Sequence, residues 1–193
     1  MPLNHHFKIF APFYDRIIKN RDELEFIKKG GLPSSGLLLD IGGGTGRITS
    51  SFTGLVDQVI NVDITFEMLE VARNKGIPSI CSLGEFLPFP DGSFSRILII
   101  DSLHHINNQE MVITDAMRVL ASDGLILIIE PSFDHISGFF IRIFEKVLFM
   151  GSNFLKDESL VQMLKKHSDN VILQHLNGNS WFIARKTTGP GMD

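Results

Sequence analysis

The chain has 193 residues, 44% of them hydrophobic and 21% charged, the size and balance of one globular domain with a substantial core rather than a disordered or low-complexity chain. Its net charge of -4 argues against a nucleic-acid backbone as the main partner, and a single cysteine, Cys81, excludes an intramolecular disulfide framework and fits a reducing, cytoplasmic compartment. The first six residues lack the design of a secretion signal and no apolar run reaches membrane-spanning length, so the expectation is a single domain over residues 1–186 followed by an untethered tail, 187–193.

In chain order, residues 7–19 carry Phe10, Phe13, Ile17 and Ile18 and read as partly helical, with Pro12 interrupting the segment or sitting in its first turn. Asp22 is placed to cap a short helix ending at Lys29, stopped by Gly30-Gly31 and Pro33. Gly36-Leu37-Leu38-Leu39-Asp40-Ile41 has the pattern of a strand buried on both faces. A helix is expected from near Gly46 to about Leu55. The second strand is residues 58–63. Thr65 is placed to cap a helix from Phe66 to Lys75, which Gly76 closes. Residues 78–81 and 96–100 read as the third and fourth strands, Asn108 caps a helix to Leu120, and residues 124–129 form the fifth strand. Strands alternating with helices imply βαβ units and a mostly parallel, doubly wound α/β sheet. Ligands on such sheets bind at the carboxyl ends of the strands, near the point where strand order reverses. The end of the chain departs from this pattern: residues 171–176 and 181–185 flank Asn177-Gly178 and read as an antiparallel hairpin.

The loop Asp40-Ile41-Gly42-Gly43-Gly44-Thr45-Gly46 follows a strand. Glycines there let the backbone turn sharply and approach a ligand closely. No lysine follows them, which excludes a G-x-x-x-x-G-K-[ST] phosphate loop. The dinucleotide fingerprint G-x-G-x-x-G is also imperfect. Counted from Gly42 its third glycine falls on Arg47, and counted from Gly44 on Thr49. What remains is Asp-x-Gly-x-Gly-x-Gly, headed by Asp40. The second strand ends in Asp63, where an acid can accept hydrogen bonds from both hydroxyls of a ribose. Nicotinamide and adenosylmethionine sites share that feature.

Taken together, these residues resemble the class I S-adenosylmethionine-dependent methyltransferases, with the closest likeness to the ubiquinone/menaquinone-biosynthesis C-methyltransferase subgroup. Residues 40–46 are similar to that family's first motif, and residues 62–69 to its ribose-binding segment. Gly84-Glu85-Phe86-Leu87-Pro88-Phe89-Pro90-Asp91-Gly92-Ser93-Phe94 resembles its adenine-binding loop and the turn after it. Residues 103–106 are similar to the segment after the fourth strand, and residues 118–124 to the turn before the fifth. The resemblance covers about residues 7–186. It implies a Rossmann-like seven-stranded sheet closed by the hairpin, with S-adenosylmethionine as cofactor and S-adenosylhomocysteine as product. It also implies roles. The loop of Asp40, Gly42, Gly44 and Gly46 passes beside the methionine part, and Asp63 holds the ribose. Ile64 and Met68 lie against the adenine, Glu85 accepts from its amino group, the backbone of Phe86 meets the ring, and Gly84 opens the same loop. The backbone near Asp101 faces the methionine amine, and Tyr14 folds over the cofactor. Phe86 stands where the family commonly has a small residue.

A sulfonium already activates the methyl group, so such a protein mainly orients the reactants and excludes water. Where the acceptor must also lose a proton, His104 and His105, at the carboxyl end of the fourth strand, are the candidate bases. The bland alternative has one of them packing under the loop and the other facing solvent. No His or Cys cluster has metal-ligand spacing. Cys81 reads as a small buried residue at a strand end. Residues 139–150 are strongly apolar, with Arg142, Glu145 and Lys146 along one side. They read as a helix covering the sheet, an apolar acceptor pocket or a peripheral membrane contact. The expected partner is a small apolar acceptor, not nucleic acid. Three classes fit: an active small-molecule methyltransferase, a nicotinamide-dependent oxidoreductase, and a non-catalytic S-adenosylmethionine-binding protein.

Overall fold

The computed structural model describes residues 23–132 and 153–187. The expected N-terminal segment with Tyr14, the apolar stretch 139–150 and the tail beyond Thr187 lie outside the described residues.

Seven strands form one sheet: β1 (Leu37–Ile41), β2 (Gln58–Asp63), β3 (Ser79–Cys81), β4 (Phe94–Ile100), β5 (Leu120–Pro131), β6 (Asn170–Leu176) and β7 (Asn179–Arg185). Their order is β3-β2-β1-β4-β5-β7-β6. β1 to β5 pair in parallel, and β7 enters antiparallel between β5 and β6. Asn177 and Gly178, with φ of 51° and 77°, join β6 to β7. Two consecutive positive φ values are what a tight hairpin turn between right-twisted strands requires. From β1 the chain runs outward to β2 and β3, then returns to β4 on the other side of β1. Strand order therefore reverses between β1 and β4, and their carboxyl ends open the crevice.

The helices among the described residues are α1 (Glu23–Lys29), α2 (Phe66–Asn74), α3 (Gln109–Val119) and α4 (Asp157–Lys165). Alternate strand residues feed two cores. Leu39, Ile97, Ile126, Ile128 and Phe182 pack with Val112, Ala116 and Leu160 of α3 and α4. Leu38, Leu98, Leu127, Ile129 and Trp181 pack with Phe26 of α1 and with Phe52. Burial on both faces explains why the central strands read as nearly unbroken apolar runs. Phe26 stacks on Trp181 at 5.3 Å between ring centroids, which ties α1 to the hairpin. Arg96 of β4 donates to the carbonyls of Gly30 and Gly31 at 2.9 and 3.1 Å, satisfying acceptors just past the end of α1.

Four expectations change. The helix expected from Gly46 to Leu55 is only a 3₁₀ turn, Thr49–Phe52. Gly46 has φ 68°, outside the helical region, and Thr49 turns its hydroxyl inward to Asp40. Ser50 and Thr53 add poor helix propensity, and Thr53 is already extended. Thr65 occupies the N-cap of α2 without a side-chain cap bond; its N–H and its side chain both bond Asp63. Asn108 does cap α3, accepting from the Met111 N–H at 3.1 Å. Cys81 is exposed rather than buried, since β3 is a three-residue strand at the sheet edge. Finally, α4 goes beyond the predicted elements.

Candidate functional site

The glycine loop is held from three directions. Gly42 N–H donates to the Val62 carbonyl at 2.7 Å. Asn61, a buried polar residue within β2, donates from Nδ2 to the Gly44 carbonyl at 2.9 Å. Lys75, just after α2, donates from Nζ to the Thr45 carbonyl at 2.9 Å. Gly42 has φ 73°, and a Cβ there would overlap the Ser102 side chain. Only glycine allows β1 to turn this tightly beside the loop after β4.

Asp40 is buried beneath the loop instead of opening onto the crevice. Its Oδ2 accepts from the Thr49 hydroxyl. Burial pushes its pKa up to about 6. The Thr49 bond opposes the rise, and nearby Asp63 adds to it. Asp63, at the end of β2, accepts from Thr65 N–H through Oδ1 at 2.7 Å and from Gly44 N–H through Oδ2 at 3.0 Å. Burial raises its pKa too, against the lowering effect of those N–H bonds. The side chain of Thr65 and the N–H of Ile64 also act on this carboxylate, so ribose hydroxyls would share its lone pairs with donors already in place.

Among the described residues, the other predicted positions sit on the segments that follow β1, β2, β3 and β4. Ser82 N–H donates to the Asp63 carbonyl, and a Cβ on Gly84 would stand 3.1 Å from Ile41, so the loop after β3 closes on the end of β1. That loop carries half-buried Glu85 and exposed Phe86, and Ile64 is also exposed. Met68 is buried, unlike Ile64 and Phe86. Asp101 follows β4 with φ 52°, its N–H donating to the Ile129 carbonyl at 2.9 Å. Of the two histidines, His104 is buried and His105 half-buried, with ring centroids 4.1 Å apart.

Sequence reasoning missed Glu130. Near the end of β5, its Oε1 accepts from the N–H groups of Ser102 and Leu103 at 3.2 and 3.0 Å, and its Oε2 is paired with His104 Nδ1. A charged residue directly after the apolar run 125–129 was the available signal. Asn61, inside an otherwise apolar strand, was another. His104 also stacks on Phe154 at 4.5 Å. A small cleft of about 20 Å³ opens here, and its apolar walls include Leu103, Phe154, Leu155 and Phe182.

A Methyltransferase domain family matches residues 39–128, which run from the end of β1 through most of β5. The ubiquinone/menaquinone biosynthesis C-methyltransferase UbiE of Hahella chejuensis is 30% identical over 169 residues, covering 78% of this chain and 68% of the relative. The chain belongs to the S-adenosylmethionine-dependent methyltransferases. At the level of fold, a methyltransferase of this class from Thermotoga maritima superposes with a TM-score of 0.77 at 22% identity, covering 95% of this chain and 99% of that one. Phosphoethanolamine N-methyltransferase 2 of Haemonchus contortus, solved with S-adenosyl-L-methionine, has a TM-score of 0.77 at 17% identity, covering 94% of this chain and 57% of that one. The cofactor is therefore S-adenosylmethionine. The crevice suits it: a close-approach glycine turn lies beside the Asp63 carboxylate at the end of β2.

Proposed function

We propose that this methyltransferase acts on a small apolar acceptor that enters beside the carboxyl ends of β4 and β5. The observation that carries this reading is the apolar lining next to His104, where Leu103, Phe154, Leu155, Leu160 and Phe182 surround a small cleft. Such walls select by shape and burial, each buried methylene contributing about 0.8 kcal/mol. The UbiE relative is named for C-methylation in quinone biosynthesis, which supports an apolar ring as one member of this acceptor class.

When bound, S-adenosylmethionine supplies an activated methyl group; the chain supplies position. In this reading Asp63 accepts from the ribose hydroxyls, Glu85 meets the adenine amine, and Ile64 and Phe86 offer apolar surface to the ring. Gly42 and Gly44 let the backbone pass close by, and Asp40 acts through the loop it supports. For an acceptor that must lose a proton, His105 is the better placed of the two histidines, because His104 is only 3% exposed.

The test is a radiolabelled methyl-transfer screen over apolar phenols, quinols and lipids alongside polar amines, peptides and nucleic acids. Turnover is expected within the apolar set, and Phe154→Ala should raise its KM several-fold while leaving S-adenosylhomocysteine affinity nearly constant. Turnover confined to the polar set would overturn the reading.

A further inference from the structure

We infer that Glu130 is a positioning residue of the crevice, with one carboxylate fixing both the path of the loop after β4 and the orientation of the His104 ring. Its oxygens divide the work. Oε1 takes the two backbone N–H groups of Ser102 and Leu103, and Oε2 takes the ring nitrogen Nδ1 of His104. These N–H groups directly follow the end of β4, so the parallel sheet leaves them without a strand partner, and buried donors of that kind need an acceptor. Glu130 arrives from the neighbouring strand, β5, to provide it. Both members of the pair are well buried, with side-chain exposures of 3% for His104 and 12% for Glu130.

The clamp reaches both sides of the crevice. On the cofactor side, Ser102 donates its hydroxyl to the Ile41 carbonyl at 3.0 Å and occupies the space that a side chain on Gly42 would need. Moving Ser102 would therefore move the wall against which the glycine loop turns. On the acceptor side, His104 stacks on Phe154 and meets the tilted ring of His105, and its carbonyl accepts from Asn153 N–H at 2.7 Å. Gln109 and Asp157 line the same cleft. A carboxylate at Nδ1 requires a proton on that nitrogen, whichever charge state the ring has. The orientation of the ring is then dictated by its partner, as in other carboxylate–histidine pairs.

This inference rests on the crevice being the S-adenosylmethionine site, and two measurements separate the two ideas. In Glu130→Gln the amide oxygen can keep the Ser102 and Leu103 bonds, which turns the amide NH₂ toward His104. Nδ1 must then accept, and the proton moves to Nε2. Long-range ¹H–¹⁵N spectra, with the His104 signal assigned by its loss in His104→Asn, should report Nδ1–H in the native protein and Nε2–H in Glu130→Gln. Calorimetry with S-adenosylhomocysteine should show affinity within about threefold of native for Glu130→Gln. For Glu130→Ala, which abandons the loop, affinity should fall about tenfold or more. An unchanged ring tautomer in Glu130→Gln overturns the proposal, even if Glu130→Ala fails to fold. Native affinity in Glu130→Ala also overturns it. If the native protein bound no S-adenosylhomocysteine, the cofactor reading would fail, and the spectra would still decide whether Glu130 orients His104.

Discussion

Replacing Asp40 with Asn should change how stability depends on pH. Asp40 is 2% exposed, and burial lifts its pKa from the ordinary 3.8 to about 6. A carboxyl whose folded pKa is raised holds its proton more tightly in the folded chain than in the unfolded one. Its contribution is therefore fully present below pH 3.8 and is lost as pH rises through about 6. A rise of roughly two units at about 1.36 kcal/mol each makes the full loss about 3 kcal/mol. Somewhat under half of that, about 1–1.5 kcal/mol, is lost between about pH 5 and pH 7.5. Asn cannot titrate, and its carbonyl oxygen can still accept from the Thr49 hydroxyl. Urea melts of both proteins across about pH 5–7.5 should therefore diverge, with the native chain losing about 1–1.5 kcal/mol relative to Asp40→Asn, or about 2–6 °C in Tm for a chain of this size. The comparison removes the other titrating groups to first order. Asp63 is the exception, because its charge contributes to the Asp40 shift. Parallel curves for the two proteins would refute the reasoning, since Asp40 would then titrate alike in the folded and unfolded chains.

The remaining predictions concern binding and the support of the site. Asp63→Ala should weaken S-adenosylhomocysteine binding by about 1–3 kcal/mol through loss of charged hydrogen bonds. NAD(P)H should give no calorimetric signal with the native protein, and a nicotinamide signal without one for S-adenosylhomocysteine would reverse the cofactor assignment. Gly42→Ala and Gly44→Ala should separate by readout. A Cβ at 42 collides with Ser102, so that variant should lose Tm as well as affinity. At 44 the nearest atom is Asp63 Oδ2 at 3.9 Å, so the left-handed backbone costs about 1–2 kcal/mol and the main loss should be in binding. Arg118→Ala should cost about 1–3 kcal/mol of unfolding free energy, because Arg118 bonds Asp115, Asp91 and the carbonyls of Phe89 and Leu87; Arg118→Lys should recover only part of it in urea melts.

Local signals in the sequence were strong wherever one segment determines its own structure. The run 37–41 is apolar because both faces of β1 are covered, and Asn177-Gly178 is a turn because both residues have positive φ. Asp63 was legible for a similar reason: an acid that ends the second strand, about twenty residues after a glycine loop, faces the crevice that the loop lines. The expected helix at 46–55 failed because its outcome was decided elsewhere. Thr49 is drawn inward by Asp40, and a Cβ on Gly46 would collide with Ile77 from beyond α2. No periodicity within the segment carries that information.

The same distinction explains why the sequence offers many candidate residues for the proposed cofactor side of the crevice and few for the proposed acceptor side. The proposed cofactor contacts fall on consecutive stretches, 40–46, 62–65 and 84–86, each of which leaves a recognisable pattern at the end of a strand. The acceptor side is assembled from single residues of distant elements: His104 after β4, Glu130 on β5, Phe154 before α4 and Phe182 on β7. Each of them alone looks like an ordinary core or surface residue. Glu130 shows the cost most clearly, because its partners lie 26 to 28 residues away and only the parallel pairing of β4 with β5 brings them together. An acid at the end of a buried strand is expensive unless donors meet it. Applied to β5, that rule would have marked Glu130 for a partner among the residues that follow β4.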